Sequence, residues 1–271
     1  MKTQNNKKLV FAIALSLLAL GSCKKDEENA PPREEGPKES FIPRTNVKYT
    51  YSIIEEDLNI GTAIKWINGG KDSAGISVYN LHTNIQAYGY DMALDNRLYV
   101  ANDRTYTDFN MPDAWYVFIE GLKNMPNTTL EKAETKGFPG YMVLENAIRE
   151  NSKLTWEVPD VTGQYIKYKQ KQADKTITYE MSQEIKQFPG LVTAVEKITV
   201  PAGTFTCAKF VYKTSQSQSI KIDGSNKGTK TGTETVSLWM AHGIGVVKQE
   251  NETVFAGTTS KTAIVLNNIS K

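Results

Sequence analysis

The last third of this chain constrains its fold most. Residues 191–200, 204–214, 219–222, 233–240, 245–251 and 263–269 are short runs built around β-branched and aromatic residues. Between them fall Pro201-Ala202-Gly203, Asp223-Gly224, His242-Gly243 and Gly257. Proline pre-sets φ for a turn and glycine tolerates positive φ, so each of these sites can reverse the chain. Consecutive short strands joined by such turns predict an antiparallel sheet or an open barrel.

The preceding part carries the same signal less regularly. Val47, Tyr49, Tyr51 and Ile53 alternate with polar residues, a period of two that puts one set of side chains on a buried face. Residues 62–67 form a second candidate strand, ended by the turn cluster Asn68-Gly69-Gly70. Residues 76–93 predict a hairpin turning at Asn84 or at Tyr88-Gly89, and residues 97–101 a short strand after Asp95-Asn96. Residues 141–144 and 153–158 add two more candidates beyond a loop at 136–140. Residues 165–169 and 176–181 suit an antiparallel hairpin around Gln172-Ala173-Asp174-Lys175, with one wet face. Residues 224–232, rich in glycine, lysine and threonine, read as a mobile loop.

One helix is expected, over residues 111–125. Pro112 suits a first helical position. Trp115, Phe118, Ile119 and Leu122 recur at three- and four-residue steps and make one apolar face. The fold expectation is therefore mainly β: a single antiparallel, strongly curved sheet or half-open barrel with one short helix packed against it.

The amino terminus reads as an export signal. Lys2, Lys7 and Lys8 precede a run at residues 9–20 that is apolar apart from Ser16, and no acidic residue occurs before Cys23. A charged start, a short apolar core and small residues at the cut site define a secretory signal, and the run is short for a transmembrane helix. Leu20-Gly21-Ser22-Cys23 resembles the bacterial lipobox, which implies cleavage after residue 22 and lipid attachment at Cys23. Lys25, Asp26 and Glu27 follow, a lysine and then acids, which resembles the surface-export signal of Bacteroidota lipoproteins. Residues 24–40 hold charge, proline and glycine but no large apolar residue, so they cannot bury enough surface to offset chain entropy. The expected organisation is a signal peptide at 1–22, a lipidated cysteine and disordered tether at 23–40, and a β-rich extracytoplasmic domain at 41–271.

Little else points to chemistry. The formal charge is +2, and removing residues 1–22 with their three lysines leaves −1. A near-neutral body has no electrostatic case for binding nucleic acid. Cys207, the second of two cysteines, lies in an apolar alternating run and reads as a small buried hydrophobe. His82 and His242 are the only histidines, and neither has the neighbours of a zinc site. No serine stands in a Gly-x-Ser-x-Gly elbow, and Gly69-Gly70 lacks the continuation of a phosphate loop. Asp223-Gly224-Ser225-Asn226 faintly suggests a calcium loop, but Glu234 falls at the wrong spacing to complete it. No catalytic residue, metal or cofactor is assigned. Tyr49, Tyr51, Tyr79, Tyr88, Tyr90, Trp115 and Tyr116 either pack the core or line an apolar concavity under the helix, able to hold an acyl chain or a glycan.

Two segments carry a family resemblance: residues 200–207 (VPAGTFTC) and 239–248 (WMAHGIGVVK). Both are similar to motifs of uncharacterised Bacteroidota outer-membrane lipoproteins of a TapB-like type. The resemblance implies a strongly curved antiparallel sheet, reminiscent of half-open lipoprotein-carrier barrels, and no assigned activity. His242 departs from that pattern, where proline is usual. The leading functional reading is a non-enzymatic, surface-exposed lipoprotein held to the membrane through Cys23, whose β domain binds an unknown protein, glycan or lipid ligand or serves a structural role. A carrier of a lipid or other hydrophobe is the second reading, and a polysaccharide-acting hydrolase the third.

Overall fold

A computed structural model describes residues 39–73, 76–109, 113–157 and 161–271. Cys23, Lys25, Asp26 and Glu27 lie outside the described residues, as does Pro112. Fifteen strands form one antiparallel sheet. In chain order they are β1 (Lys48–Glu55), β2 (Leu58–Ser73), β3 (Ile76–Ala87), β4 (Tyr90–Ala101) and β5 (Arg104–Phe109). The helix α1 (Asp113–Asn124) follows, then β6 (Thr128–Lys136), β7 (Gly140–Glu145), β8 (Lys153–Glu157), β9 (Thr162–Gln172) and β10 (Lys175–Gln187). The chain ends with β11 (Gly190–Val200), β12 (Gly203–Ile222), β13 (Ser225–Ala241), β14 (Gly245–Phe255) and β15 (Thr258–Ser270).

Twelve of these strands close a ring, in the order β11-β8-β7-β5-β4-β3-β2-β1-β15-β14-β13-β12 and back to β11. The seam is narrow, because β8 meets β11 through only Leu154↔Gly190 and Lys153↔Leu191. β12 is the branch point. Its first half pairs with β11 as far as Val211, and its second half pairs with β10 from Thr214 onward. β10, β9 and β6 therefore leave the barrel wall as a three-stranded wing.

The expected curved antiparallel sheet with one helix is thus observed, and the sheet closes. The turns at Pro201-Ala202, Asp223-Gly224, residues 242–244 and Ala256-Gly257 stand where expected, and the early hairpin reverses at Tyr88-Gly89. Glu56-Asp57, Tyr88-Gly89, Asn102-Asp103, Asp223-Gly224 and Ala256-Gly257 have positive φ at both residues. That conformation matches the right-handed twist of paired strands.

Three expectations are corrected. Residues 225–232 are not a loop but the start of β13, because β12 offers them a continuous partner from Thr229 to Gly232. Asn68-Gly69-Gly70 does not end a strand; it is a bulge inside β2, where a Cβ on Gly70 would come within 2.8 Å of the Tyr79 ring. β4 runs unbroken through Asp95-Asn96, since Asn96 is buried and donates to the Asp108 carbonyl. β6 has no sequence signal. As the wing's outer strand it is mostly exposed, and it carries Glu131, Lys132, Glu134 and Lys136, charges of the kind that discourage edge-to-edge pairing.

Along β1, Tyr49, Tyr51 and Ile53 point to one face and are almost fully buried. The interior below the branch point packs Leu144, Leu154, Phe210, Leu238 and Met240 around Phe41. Ile42 fills a neighbouring cluster with Ile67, Tyr79 and Leu98. Aromatic packing here is edge-on, with the Phe41 and Phe210 centroids 5.6 Å apart at 84°. α1 lays Trp115, Ile119 and Leu122 on the wing against Ile166, Tyr168, Met181 and Leu130. Phe118, expected on that face, stands at its margin and is 36% exposed. The contact between helix and wing is filled by side chains.

Candidate functional site: a barrel closed at one end

Residues 40–44 seal one end of the barrel. Ser40, Phe41 and Ile42 are at most 1% exposed. The Phe41 amide donates to Thr105 Oγ1 on β5 at 3.2 Å. The Gly243 amide donates to the Ser40 carbonyl at 2.9 Å, and the Arg44 amide donates to the Gly243 carbonyl at 3.1 Å. Tyr49 Oη donates to that same carbonyl at 3.1 Å and accepts from the Arg44 amide at 3.0 Å. The His242 ring lies against Phe41 at 5.0 Å, tilted by 54°, and its Nε2 lies 2.6 Å from the Asn146 carbonyl. This segment is an N-terminal plug wedged between β5, the β7–β8 connection and the β13–β14 turn.

Both motif segments act around this closure. Gly243 and Gly245 have φ of 68° and 78°, and a Cβ on Gly245 would sit 3.1 Å from Pro43 and 3.2 Å from the Phe41 carbonyl. Glycine is thus required for both the turn and the close approach. In the other segment, Val200, Phe205 and Cys207 join Trp239 and Val247 in one cluster. Burial pushes the Cys207 thiol up to about 12, which makes it the inert hydrophobe expected. Trp239 Nε1 donates to Glu196 at 2.7 Å, and Lys209 and Lys248 lie over its ring. The two segments are structural, and the plug they receive could not be read from spacing.

Above the floor the interior is less dry. Ile85, Met92, Gln249 and Ile264 alternate with outward residues and belong to the inner face, yet each keeps part of its surface exposed. Lys65 lies between the buried Ala63 and Ile67 on β2, with its Nζ 5.3 Å from the centre of the Tyr51 ring. Burial lowers its pKa to about 8. The same cause raises the Tyr51 hydroxyl well above its ordinary range. The inner face here is less tightly buried at Ile85, Met92, Gln249 and Ile264 than in the clusters around Phe41 and Ile42.

A polar belt crosses the inner face where the wing departs. Thr253, Glu234, Thr214 and Gln187 are successive cross-strand partners on β14, β13, β12 and β10. Glu234 is 7% exposed. Its Oε1 accepts from Asn251 Nδ2 at 2.9 Å and from Thr253 Oγ1 at 3.4 Å. Burial raises its pKa, and the hydrogen bonds from Asn251, Thr253 and Thr214 pull in the opposite direction. Next along the belt, Gln164 Nε2 donates to Gln183 Oε1 at 2.5 Å and Gln187 Nε2 to Thr162 Oγ1 at 3.1 Å. The Oε1 atoms of Gln164 and Gln187 are buried and accept no hydrogen bond. Just below the belt, Trp156 and Tyr212 meet at 5.4 Å, and Phe109 meets Trp156 at 5.6 Å. Sequence reading missed the belt, because its residues come from five strands.

His82, on the outer face, pairs its Nδ1 with Asp95 at 2.7 Å and stacks on Trp66. The two histidines lie on separate elements, and among the described residues no group of three or more His, Cys, Asp or Glu is placed to hold a metal.

Residues 140–254, which run from β7 into β14, match the DUF3108-like family. No curated protein matches the chain. Two crystal structures are similar. A candidate lipoprotein from Parabacteroides distasonis aligns at 16% identity over 85% of this chain and 98% of its own, with a TM-score of 0.49. A candidate exported protein with a YmcC-like fold from Bacteroides fragilis aligns at 14% identity over 86% and 99%, with a TM-score of 0.43.

Proposed function

We propose that this protein is a non-enzymatic, lipid-anchored binding module of the outer membrane, facing the cell exterior and holding its ligand in the lumen of the barrel. One observation carries the reading: the inner wall at Ile85, Met92, Gln249 and Ile264 stays partly exposed above a floor sealed by Phe41 and Ile42. A barrel wide enough to leave its interior incompletely filled encloses a ligand space. Where the wing departs, the outer face carries Ser215, Ser217, Thr231 and Thr233, unlike the apolar band of a membrane barrel. Attachment therefore falls to Cys23 and the export signal around it. The resemblance of the 200–207 and 239–248 segments to motifs of Bacteroidota lipoproteins of the TapB-like type supports placement at the outer membrane.

An acyl chain or another hydrophobe would lie against Ile85, Met92 and Ile264, above the packed floor, as the carrier reading requires. The filled contact between α1 and the wing moves any such space from beneath the helix into the barrel.

Native mass spectrometry of protein released from membranes in mild detergent tests the proposal. The expected result is a bound, non-covalent ligand that is lost in Met92→Trp, a variant that fills the lumen, while circular dichroism stays unchanged. No ligand on the wild type, or full retention by a folded Met92→Trp protein, would overturn it.

A further inference from the structure

We propose that the polar belt is a subsite for a hydroxyl-rich ligand, a neutral oligosaccharide laid across β13, β12, β10 and β9. The inference deepens the lumen reading and rests on it. The buried Oε1 atoms of Gln164 and Gln187 are acceptors without donors. An unmade hydrogen bond at a buried acceptor costs about 1–3 kcal/mol, so a pair on one face favours a molecule that brings donors. Ordered waters can fill such positions, and a ligand hydroxyl that reproduces their hydrogen bonds replaces them at little cost.

The spacing suits an extended ligand. Glu234, Thr214 and Gln187 are cross-strand neighbours, so polar groups recur about every 4.8 Å across the sheet, close to the length of one sugar ring. Gln183, four residues before Gln187 on β10, faces Gln164 on β9, so the row continues one strand further with an offset. The amides and hydroxyls supply both donors and acceptors, as a polyol needs. A cationic ligand would suit Glu234 alone, and that carboxylate already accepts from Asn251 and Thr253. Beside the belt, Trp156 and Tyr212 provide aromatic surface for the apolar faces of sugar rings.

The test is titration calorimetry of the full chain with a panel of neutral oligosaccharides of glucose, mannose, galactose and N-acetylglucosamine, with spermine as the cationic comparison. The expected result is binding of at least one oligosaccharide, weakened tenfold or more in Gln187→Leu and in Gln164→Leu. Each variant removes an unsatisfied acceptor but also one hydrogen bond, to Thr162 or to Gln183, so circular dichroism accompanies the titration to show that both remain folded. A panel that fails entirely, affinity unchanged in both variants, or tighter binding of spermine would overturn the assignment. If a co-purifying ligand is expelled by Met92→Trp while every oligosaccharide fails, the belt assignment falls and the lumen reading stands.

Discussion

The amide of Gly243 donates to the carbonyl of Ser40 at 2.9 Å, joining the start of the folded body to a turn near its end. This bond holds the plug, and around it the floor of the barrel is built. The stability of the closed end should therefore depend on a few residues far apart in the chain.

Gly245→Ala is expected to lower stability by about 1–3 kcal/mol, because alanine at φ 78° is strained and its Cβ would crowd Pro43 and the Phe41 carbonyl. Urea denaturation followed by tryptophan fluorescence measures the loss. Increased binding of a hydrophobic dye would place the damage at the floor. A wild-type midpoint would show that the plug docks without needing this glycine.

Phe41→Ala tests the same closure from the other side. Phe41 is 1% exposed and touches Phe210 and His242. Removing a buried phenylalanine side chain costs about 3–5 kcal/mol where the cavity cannot collapse. The expected outcome is a large fall in melting temperature, and a change within experimental error would mean that the segment is a loose strap.

How far these residues could be read from sequence differs sharply. The strands of the last third and their turns were legible, because period-two patterning and turn chemistry are local. The helix was legible from Trp115, Ile119 and Leu122. β6 was not, since Leu130 is its only large apolar residue and its role is to be an edge. The start of β13 was not, because Thr229 to Gly232 are held in the strand by β12, a tertiary partner that overrides weak local propensity. The belt and the plug were invisible for a related reason: Gln187 meets Thr214, and Ser40 meets Gly243, only once segments far apart in the chain have come together.

Lys65 makes stability depend on pH on the basic side. Its folded pKa, about 8, lies below the ordinary 10.5, so the unfolded chain binds more protons between those values. Stability should then rise as pH increases from about 8 toward 10.5. Lys65→Met should abolish that rise and stabilise the protein at pH 7, because an ammonium no longer has to stay charged away from water. Chemical denaturation at several pH values checks both effects, and an identical pH dependence in the variant would sink the assignment.

Glu234 makes the opposite contribution on the acid side. Its folded pKa is raised above the ordinary carboxylate value by burial. The proton is therefore held more tightly by the folded state, and stability from this group is present at low pH and lost as pH rises through the raised value. Glu234→Gln should flatten the profile between mildly acidic and neutral pH while leaving the fold intact. A steeper profile in the variant would mean that the carboxylate is stabilised in its charged form, which the three hydrogen bonds to it could achieve only by outweighing its burial.

Anchoring and orientation give the last prediction. Each buried methylene contributes about 0.8 kcal/mol, and one acyl chain alone binds membranes only marginally. A cysteine carrying several chains should hold the protein almost permanently, while a polar body with no lipid should wash off. Cys23→Ala is thus expected to move the protein from the membrane pellet to the soluble fraction and to abolish labelling with radioactive palmitate. Replacing Lys25, Asp26 and Glu27 together with alanine leaves the lipid in place, so that variant should stay in the pellet while losing sensitivity to protease added to intact cells. The two outcomes separate attachment from export. Palmitate labelling that survives Cys23→Ala would refute the anchor, whereas unchanged protease sensitivity in the triple variant would leave the anchor standing and remove only the export signal.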